Sequence, residues 1–263
     1  MSSDSPRTPT DAPETDAKET LRGIWESDRL RVCYSRQLEV IYEGTWFHWI
    51  TNRALRDLAE EGFLKMEPRT LANGGRLHLY WHKTNRYPRR AADRVARLVE
   101  DYSADEVSEA LGNRGEQLVL EGLATRQFVL HGRSTRTFRG QAWTRTAHNL
   151  DFIVERDAIP YGVEVKNSLD YIDGDELDLK MDLCAHLGVK PVFVVRAMPR
   201  TWTHDVIQRG GFVLILRYQL YPPLLKDLVG RIRAELGLPV DHPKSLSTGT
   251  MDRFVNWHEK HVL

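Results

Sequence analysis

Apolar residues recur at helical spacing through much of the first hundred residues, and a hairpin pattern follows. A first helix is predicted over residues 31–42, before Gly44. A second is predicted between Gly44 and Gly62, because an apolar stripe there recurs every three or four residues: Ile50, Ala54, Leu55 and Leu58. Two strand-like segments then flank residues 72–75, Ala-Asn-Gly-Gly, which is a strong turn signal. The sequence therefore predicts helix, helix and hairpin within residues 21–82.

From residue 101 onward, blocks of β-branched and aromatic residues alternate with helical patterns. The continuous apolar run at 190–195 is typical of a central strand that is covered on both faces. Strands are predicted at 127–130, 150–154, 162–167, 190–195 and 212–216, with one helix before the first and another, ending at Gly188, before the fourth. This alternation predicts an α/β fold with the core order αβββαβ.

The remaining segments have weaker patterns. Residues 1–20 are rich in Ser, Thr, Pro, Asp and Glu and offer little to bury, so they predict a disordered lead. Residues 83–100 hold five arginines and the helix breaker Tyr87-Pro88, and predict a basic linker and helix that either follows phosphates or is simply solvated. Residues 238–263 predict a tail with a short helix, and its His258 and His261 are interpreted as surface residues.

Composition argues against several classes of protein. Lys and Arg number 37, as do Asp and Glu, so any affinity for nucleic acid must depend on local charge. Cys33 and Cys184 are far apart and lack partners at metal-ligand spacing, which argues against a disulfide framework or a zinc site. No apolar run approaches the roughly 20 residues of a membrane span, and the start lacks the apolar core of a secretion signal. A cytoplasmic protein with no membrane partner is expected.

A carboxylate and an amine share one face of the strand predicted at 162–167. Because side chains alternate along a strand, Glu164 and Lys166 point to the same side. The preceding strand would place Asp151 beside Glu164 at the same end of the sheet. Two carboxylates that close raise each other's pKa unless a cation lies between them, and Mg²⁺ takes such oxygen ligands. A solvated ion pair is the alternative, but the apolar flanks of both strands make unpaired charge costly.

Asp151 followed by Glu164-x-Lys166 resembles the motif of the PD-(D/E)xK nuclease superfamily, which has the restriction-endonuclease-like fold. In that superfamily a preceding helix carries a glutamate, and Glu116 matches its place. The resemblance implies three metal ligands, Glu116, Asp151 and Glu164, and it implies that Lys166 is the catalytic lysine. The implied cofactor is Mg²⁺, with Mn²⁺ as a substitute. Leu150 stands where the name of the superfamily has proline, which lowers the specificity of the motif.

The order of elements in residues 21–82 resembles a winged helix-turn-helix domain, whose second helix enters the major groove of DNA. The resemblance implies base contacts from the outer face of that helix by Thr51, Asn52, Arg53 and Arg56, and phosphate contacts from the wing by Arg69 and Arg76. Residues 31–100 hold 13 Lys and Arg against 8 Asp and Glu, which favours a phosphate-binding face. Ordinary solvated charges on a protein-docking module are the alternative. The aromatic residues Trp46, Phe47 and Trp49 are predicted to pack in the core.

Together the two resemblances predict a Mg²⁺-dependent DNA endonuclease whose N-terminal domain positions the substrate. A non-catalytic DNA-binding regulator with the same fold is the alternative, and a homodimer would supply two active sites for the two strands. The predicted division is a disordered lead (1–20), a winged helix-turn-helix-like α+β domain (21–82), a basic linker and helix (83–100), a nuclease domain with a restriction-endonuclease-like mixed sheet (101–237) and a C-terminal tail with a short helix (238–263).

Overall fold

The computed structural model describes residues 12–262 and divides them into two compact units. The first unit comprises residues 12–107 and 230–239, and the second comprises residues 108–229 and 240–262. Both units combine helices with strands, which confirms the predicted mixed α/β class. Across residues 12–262, every helix is too short or too polar to cross a membrane.

The first unit is a set of helices around a three-stranded antiparallel sheet. Its elements are α1 (Ala12–Ser27), β1 (Val32–Tyr34), α2 (Ser35–Tyr42), α3 (His48–Glu60), β2 (Leu64–Thr70), β3 (Arg76–His82) and α4 (Arg89–Ser103). The strands lie in the order β1-β3-β2. The buried core includes Leu21, Trp25, Leu55, Leu58 and Tyr80. Helices α1, α2 and α3 therefore share one hydrophobic core with the sheet.

Helix α1 begins inside the segment that composition predicts to be disordered. Ala17, Leu21 and Trp25 recur every four residues along it and are fully buried. These three residues fix α1 against the core, so the prediction of disorder is wrong from Ala12 onward. The predicted lead over residues 1–11 lies outside the described residues.

Of two further segments of the first unit, one differs from the sequence prediction and one agrees with it. Val32–Tyr34 is a strand rather than the start of a helix, because it pairs with β3, with Val32 opposite Trp81. Helix α4 buries Val95, Leu98 and Val99 within the first unit. The helix predicted within residues 83–100 is therefore present as α4, and it packs in the core of the first unit.

The second unit is built on a five-stranded mixed sheet. Its elements in chain order are α5 (Asp105–Ala124, entering from the first unit), β4 (Val129–Thr135), β5 (Thr137–Phe138), β6 (Gln141–Ala142), β7 (Leu150–Arg156), β8 (Ile159–Lys166), α6 (Gly174–Leu187), β9 (Lys190–Val195), α7 (Arg200–Gln208), β10 (Phe212–Ile215), β11 (Gln219–Leu220), α8 (Lys226–Arg231, leading into the first unit), β12 (Val240–Asp241) and α9 (Thr248–His261). The sheet order is β10-β9-β8-β7-β4. Strands β4, β7 and β8 are antiparallel neighbours, and β8, β9 and β10 are parallel.

Helices cover both faces of this sheet, as the apolar run of β9 predicts. Val192 and Val194 pack in the cluster that includes α5 and α9. Phe193 and Val195 pack on the opposite side, in the cluster that includes α6 and α7. Because successive side chains alternate between the faces, β9 contributes to both clusters.

The β7–β8 hairpin is tighter than the sequence prediction. The predicted connection covers residues 155–160, whereas the strands continue to Arg156 and resume at Ile159. Only Asp157 and Ala158 form the turn, with φ of 54° and 60°. Positive φ at both central residues is the requirement of a two-residue hairpin turn whose twist matches the strands.

Most of the predicted C-terminal tail, residues 240–262, is part of the second unit. Helix α9 buries Met251 and Phe254 in the same cluster as α5. His258, interpreted from sequence as a surface residue, is fully buried, and its Nδ1 lies 2.5 Å from the Tyr161 hydroxyl. Its Nε2 lies 2.9 Å from Asp157 Oδ2 at the hairpin turn. The domain boundary predicted at 237 therefore differs from the structure.

Gly211 tests the packing between α7 and the sheet. A Cβ added there would lie 2.5 Å from the Pro191 carbonyl oxygen and 2.9 Å from Val206 Cγ1, and the backbone oxygen cannot rotate away. Gly211→Ala should lower the free energy of unfolding by about 1–3 kcal/mol in urea denaturation. The control is Gly112→Ala in α5, where a Cβ meets open space and the gain in helix propensity should raise that free energy by about 0.5–1 kcal/mol. Equal effects of the two substitutions would contradict this packing.

Candidate active site

Strands β7 and β8 bring the predicted acidic and basic residues to one end of the sheet. Phe152 pairs with Val163, so the next positions, Asp151 and Glu164, are opposite each other across the two strands. Lys166 lies two residues beyond Glu164 on β8, on the same face. The face is the one covered by α6.

Glu164 is held by a lysine that the sequence prediction left out. Lys180 Nζ of α6 lies 2.6 Å from Glu164 Oε2 and also donates to the Asn149 carbonyl oxygen. The two side chains are only 5% and 9% exposed, so this is a buried ion pair. Burial, and the neighbouring Asp151 carboxylate, raise the pKa of Glu164 to about 7 despite the opposing effect of Lys180.

Asp151 is fixed by the backbone of the neighbouring strand. Its Oδ2 accepts a hydrogen bond from the Val165 N–H at 2.7 Å. Burial raises the pKa of Asp151, and Glu176 of α6 raises it further, against the Val165 hydrogen bond and Lys180. Within residues 12–262 its second oxygen accepts no hydrogen bond, which leaves that oxygen available to a ligand.

Glu116 approaches the same end of the sheet from α5. Its Oε2 lies 3.7 Å from an Arg133 nitrogen, and its pKa is raised by burial and then by Asp151. Helix α5 comes this close because Gly115 has no side chain. A Cβ there would lie 2.7 Å from Cβ of Asn167, the residue that directly follows the end of β8. The close approach of helix and strand thus places Glu116 near Asp151.

Lys166 is the more exposed of the two lysines. Its Nζ lies 3.5 Å from Glu176 Oε2, and its side chain is 36% exposed. Lys180 could have been identified from the sequence, because it falls on the buried stripe of α6 at helical spacing from Leu177 and Cys184. A single lysine on such a stripe indicates a buried acidic partner.

The carboxylates at this end of the sheet fit Mg²⁺ in chemical type. Mg²⁺ prefers oxygen ligands and is usually bound by one or two carboxylates together with several waters. Burial is the main cause of the raised pKa values of Glu116, Asp151 and Glu164, and nearby carboxylates raise these pKa values further, so a bound cation would favour the charged forms. In the part of the chain that the structure describes, no three His, Cys, Asp or Glu side chains already form a group that could hold a metal. As placed, the site would therefore rely on one or two carboxylates and on water.

The residues of α3 that were predicted to contact DNA differ in burial and in their side-chain partners. Thr51 is fully buried, so the prediction that it lies on the outer face is wrong; α3 packs against both α1 and α2, which widens its buried face. Asn52 donates its side-chain amide to the buried Glu39 carboxylate at 2.7 Å. Arg53 is exposed and pairs with Glu14 of α1 at 2.5 Å.

The remaining predicted contacts are arginines with different surroundings. Arg56 on α3 and Arg76 at the start of β3 are exposed, and neither makes an ion pair within residues 12–262. Arg69 is held between Glu67 at 2.6 Å and Asp93 at 2.8 Å. Arg56 and Arg76 are therefore more accessible to a phosphate than Arg69.

The aromatic residues before and within the first turn of α3 are not all in the core. Trp46 is buried as predicted. Phe47 and Trp49 are 44% and 51% exposed, so the core prediction is wrong for both. They add apolar surface to the exposed side of α3.

Comparisons of the chain with protein-family models, with curated proteins and with solved structures find no match. We therefore infer function from the geometry of the site and from the order of the elements.

Substituting each lysine by methionine distinguishes their roles. Lys180→Met leaves the Glu164 carboxylate buried without its cation and should lower the free energy of unfolding by about 3–5 kcal/mol at pH 8. Lys166→Met is the matched control, because its ion pair is partly exposed and should contribute less than about 1 kcal/mol. Urea denaturation measures both.

The loss in Lys180→Met should depend on pH. The pKa of Glu164 is higher in the folded state than in the unfolded state, so the folded state binds the extra proton between about 4.5 and 7. The loss should therefore be smaller at pH 5, where Glu164 is protonated, and should grow as the pH rises through 7. A loss of the same size at both pH values would contradict the buried pair.

Proposed function

We propose that this protein is a Mg²⁺-dependent DNA endonuclease that hydrolyses phosphodiester bonds in its second unit and positions the DNA with its first. One observation carries the proposal: Asp151 and Glu164 are opposite each other at the end of two paired strands, with Lys166 on the same face of β8 and Glu116 close enough to Asp151 to interact with its charge. Carboxylate oxygens beside an amine are the residue types that metal-assisted phosphodiester hydrolysis requires.

The order of the elements supports the proposal. In the second unit, α5, β4, β7, β8, α6 and β9 follow the order αβββαβ when the short β5–β6 hairpin is set aside. This is the order expected of a restriction-endonuclease-like core. In the first unit, two helices, α2 and α3, precede the β2–β3 hairpin, with β1 as a third strand beside β3. This is the order expected of a winged helix-turn-helix domain, with α3 as the DNA-contacting helix.

Each residue of the site has a distinct part in the proposed reaction. When bound, Mg²⁺ would supply a Lewis acid for the phosphate and a more acidic water, and Mn²⁺ would suit the same oxygen ligands. Asp151 and Glu164 would hold the ion, and Glu116 would add negative charge or a further ligand from α5. Lys166 would orient the attacking water and stabilise the charge that develops on the phosphate. Lys180 fixes the position of Glu164.

A DNA-binding regulator without turnover is the second candidate, and the Glu164–Lys180 pair favours it. Lys180 already supplies part of the positive charge that a metal would bring to Glu164. In this reading the pair is purely structural and the first unit carries the activity. DNA binding without cleavage, with Mg²⁺ or Mn²⁺ present, would distinguish this candidate from the endonuclease.

Cleavage of plasmid DNA tests the proposed function. The protein with Mg²⁺ should convert supercoiled DNA to nicked or linear forms, and EDTA should stop the reaction. Asp151→Ala and Lys166→Ala should each reduce the rate by about 100-fold or more, because Asp151 would hold the ion and Lys166 would orient the attacking water. Both variants should still bind the same DNA when EDTA is present.

The control variants are Asp178→Ala and Lys244→Ala, an exposed carboxylate and an exposed lysine of the second unit. Both should cleave at the rate of the unmodified protein. Cleavage that continues undiminished in Asp151→Ala and Lys166→Ala would assign the activity to another site or to a contaminant.

A further inference from the structure

One stretch of the second unit carries positive charge without any negative charge. Residues 122–150 contain five arginines and neither Asp nor Glu, although the whole chain has a formal net charge of zero. Four of the arginines form what we call the arginine strip: Arg133, Arg136, Arg139 and Arg145. They lie on β4, on the β5–β6 hairpin and on the segment that leads to β7. Local charge of this density attracts polyanions.

The arginine strip is accessible to a large ligand. Strand β4 is at the edge of the five-stranded sheet, and most of its residues are exposed. Arg133, Arg139 and Arg145 have side chains that are more than half exposed, and Arg136 is exposed as well. The fifth arginine, Arg126, lies 2.7 Å from Asp252 and is mostly buried, so it is not part of the strip.

Aromatic rings and single carboxylates orient three of the four guanidinium groups of the strip, those of Arg133, Arg139 and Arg145. Arg139 lies over the Phe138 ring at 4.9 Å from its centroid, and Arg145 lies over Trp143 at 5.0 Å. Arg139 also pairs with Glu155 at 2.6 Å. A guanidinium has five N–H donors, so one carboxylate leaves donors free for a phosphate. A stacked, planar group is already oriented for bidentate binding.

The strip begins at the candidate active site. Arg133 is opposite Phe152 in the β4–β7 pairing, next to Asp151, and one of its nitrogens lies 3.7 Å from Glu116 Oε2. The carboxylates of the site repel a polyanion by themselves. Positive charge at the neighbouring edge of the sheet would offset that repulsion for the phosphates of the DNA strand that flank the reacting phosphate.

We infer that the arginine strip binds the sugar–phosphate backbone of DNA beside the candidate active site. The inference rests on the proposed function and adds to it a second DNA-binding surface, one that the first unit does not supply. Arginine contacts to phosphates are independent of base sequence, so the strip positions the backbone and does not select a sequence. The ligand is a polynucleotide because the strip adjoins residues whose proposed reaction is on a phosphodiester.

Fluorescence anisotropy of a labelled duplex tests the inference, with the full chain in EDTA so that no DNA is cut. The variant Arg136→Ala/Arg139→Ala/Arg145→Ala should bind about 10-fold or more weakly at low salt. The slope of log K against log salt is negative, and it should become shallower by about 3, since each lost phosphate contact reduces its magnitude by about one. Arg133 is left unchanged because it contacts Glu116.

The control removes the same charge from the same unit at positions outside the strip: Lys190→Ala/Arg209→Ala/Lys260→Ala. This control should bind within about 2-fold of the unmodified protein and keep its salt slope. Circular dichroism and the melting temperature verify that both variants fold. A strip variant that is folded and binds duplex DNA like the control overturns the inference.

Separate measurement of cleavage distinguishes failure of the inference from failure of the proposed function. If the unmodified protein cuts DNA and the strip variant binds and cuts equally well, the inference fails alone. If the strip variant loses affinity but the unmodified protein never cuts, the inference stands and the proposed function fails. Unchanged binding to duplex DNA with lost binding to single-stranded RNA would overturn the inference in favour of an RNA surface.

Discussion

The burial of a carboxylate at the end of a covered sheet is the constraint on which the site depends. Glu164 lies in a sheet with helices on both faces, where an ionised group is costly unless other charges compensate it. Lys180 supplies one compensating charge, and Asp151 adds a second negative charge across the strand pair. Lys180 does not fully offset the cost of burying the two carboxylates, and the pKa values of Glu164 and Asp151 are raised as a result. A divalent cation is the simplest group that would complete it.

The fold maintains this charge cluster through a few local features. The two-residue turn at Asp157 and Ala158 sets the register of β7 against β8, and a shift by one residue would turn Asp151 to the other face. Gly115 lets α5 approach β8, where buried Asn167 donates to the Leu111 carbonyl oxygen at 2.8 Å. The positions of the charges at the sheet end thus depend on the hairpin turn and on the packing of α5 against Asn167, as well as on the acidic residues themselves.

The burial and position of a residue could be predicted where its neighbours in sequence determine them. They could not be predicted where distant parts of the chain supply the contacts. The apolar run of β9 predicted that strand. The alternation of Glu164 with its valine neighbours predicted β8 and the face that Glu164 shares with Lys166. Thr51, by contrast, is buried because α1 packs on α3, and α1 lies in a segment whose composition favours disorder. His258 is buried because its partners, Tyr161 and Asp157, lie about a hundred residues earlier. The only sequence signal for Lys180 is its position on the buried stripe of α6.

The most direct test of this account is a crystal structure of the protein grown with Mn²⁺, with anomalous differences measured at the manganese edge. We expect a peak within about 2.3 Å of carboxylate oxygens of Asp151 and Glu164, with Lys166 beside it. Manganese absent from this position at millimolar concentration, with Glu164 still bonded to Lys180, would contradict the metal site and leave a structural ion pair in its place.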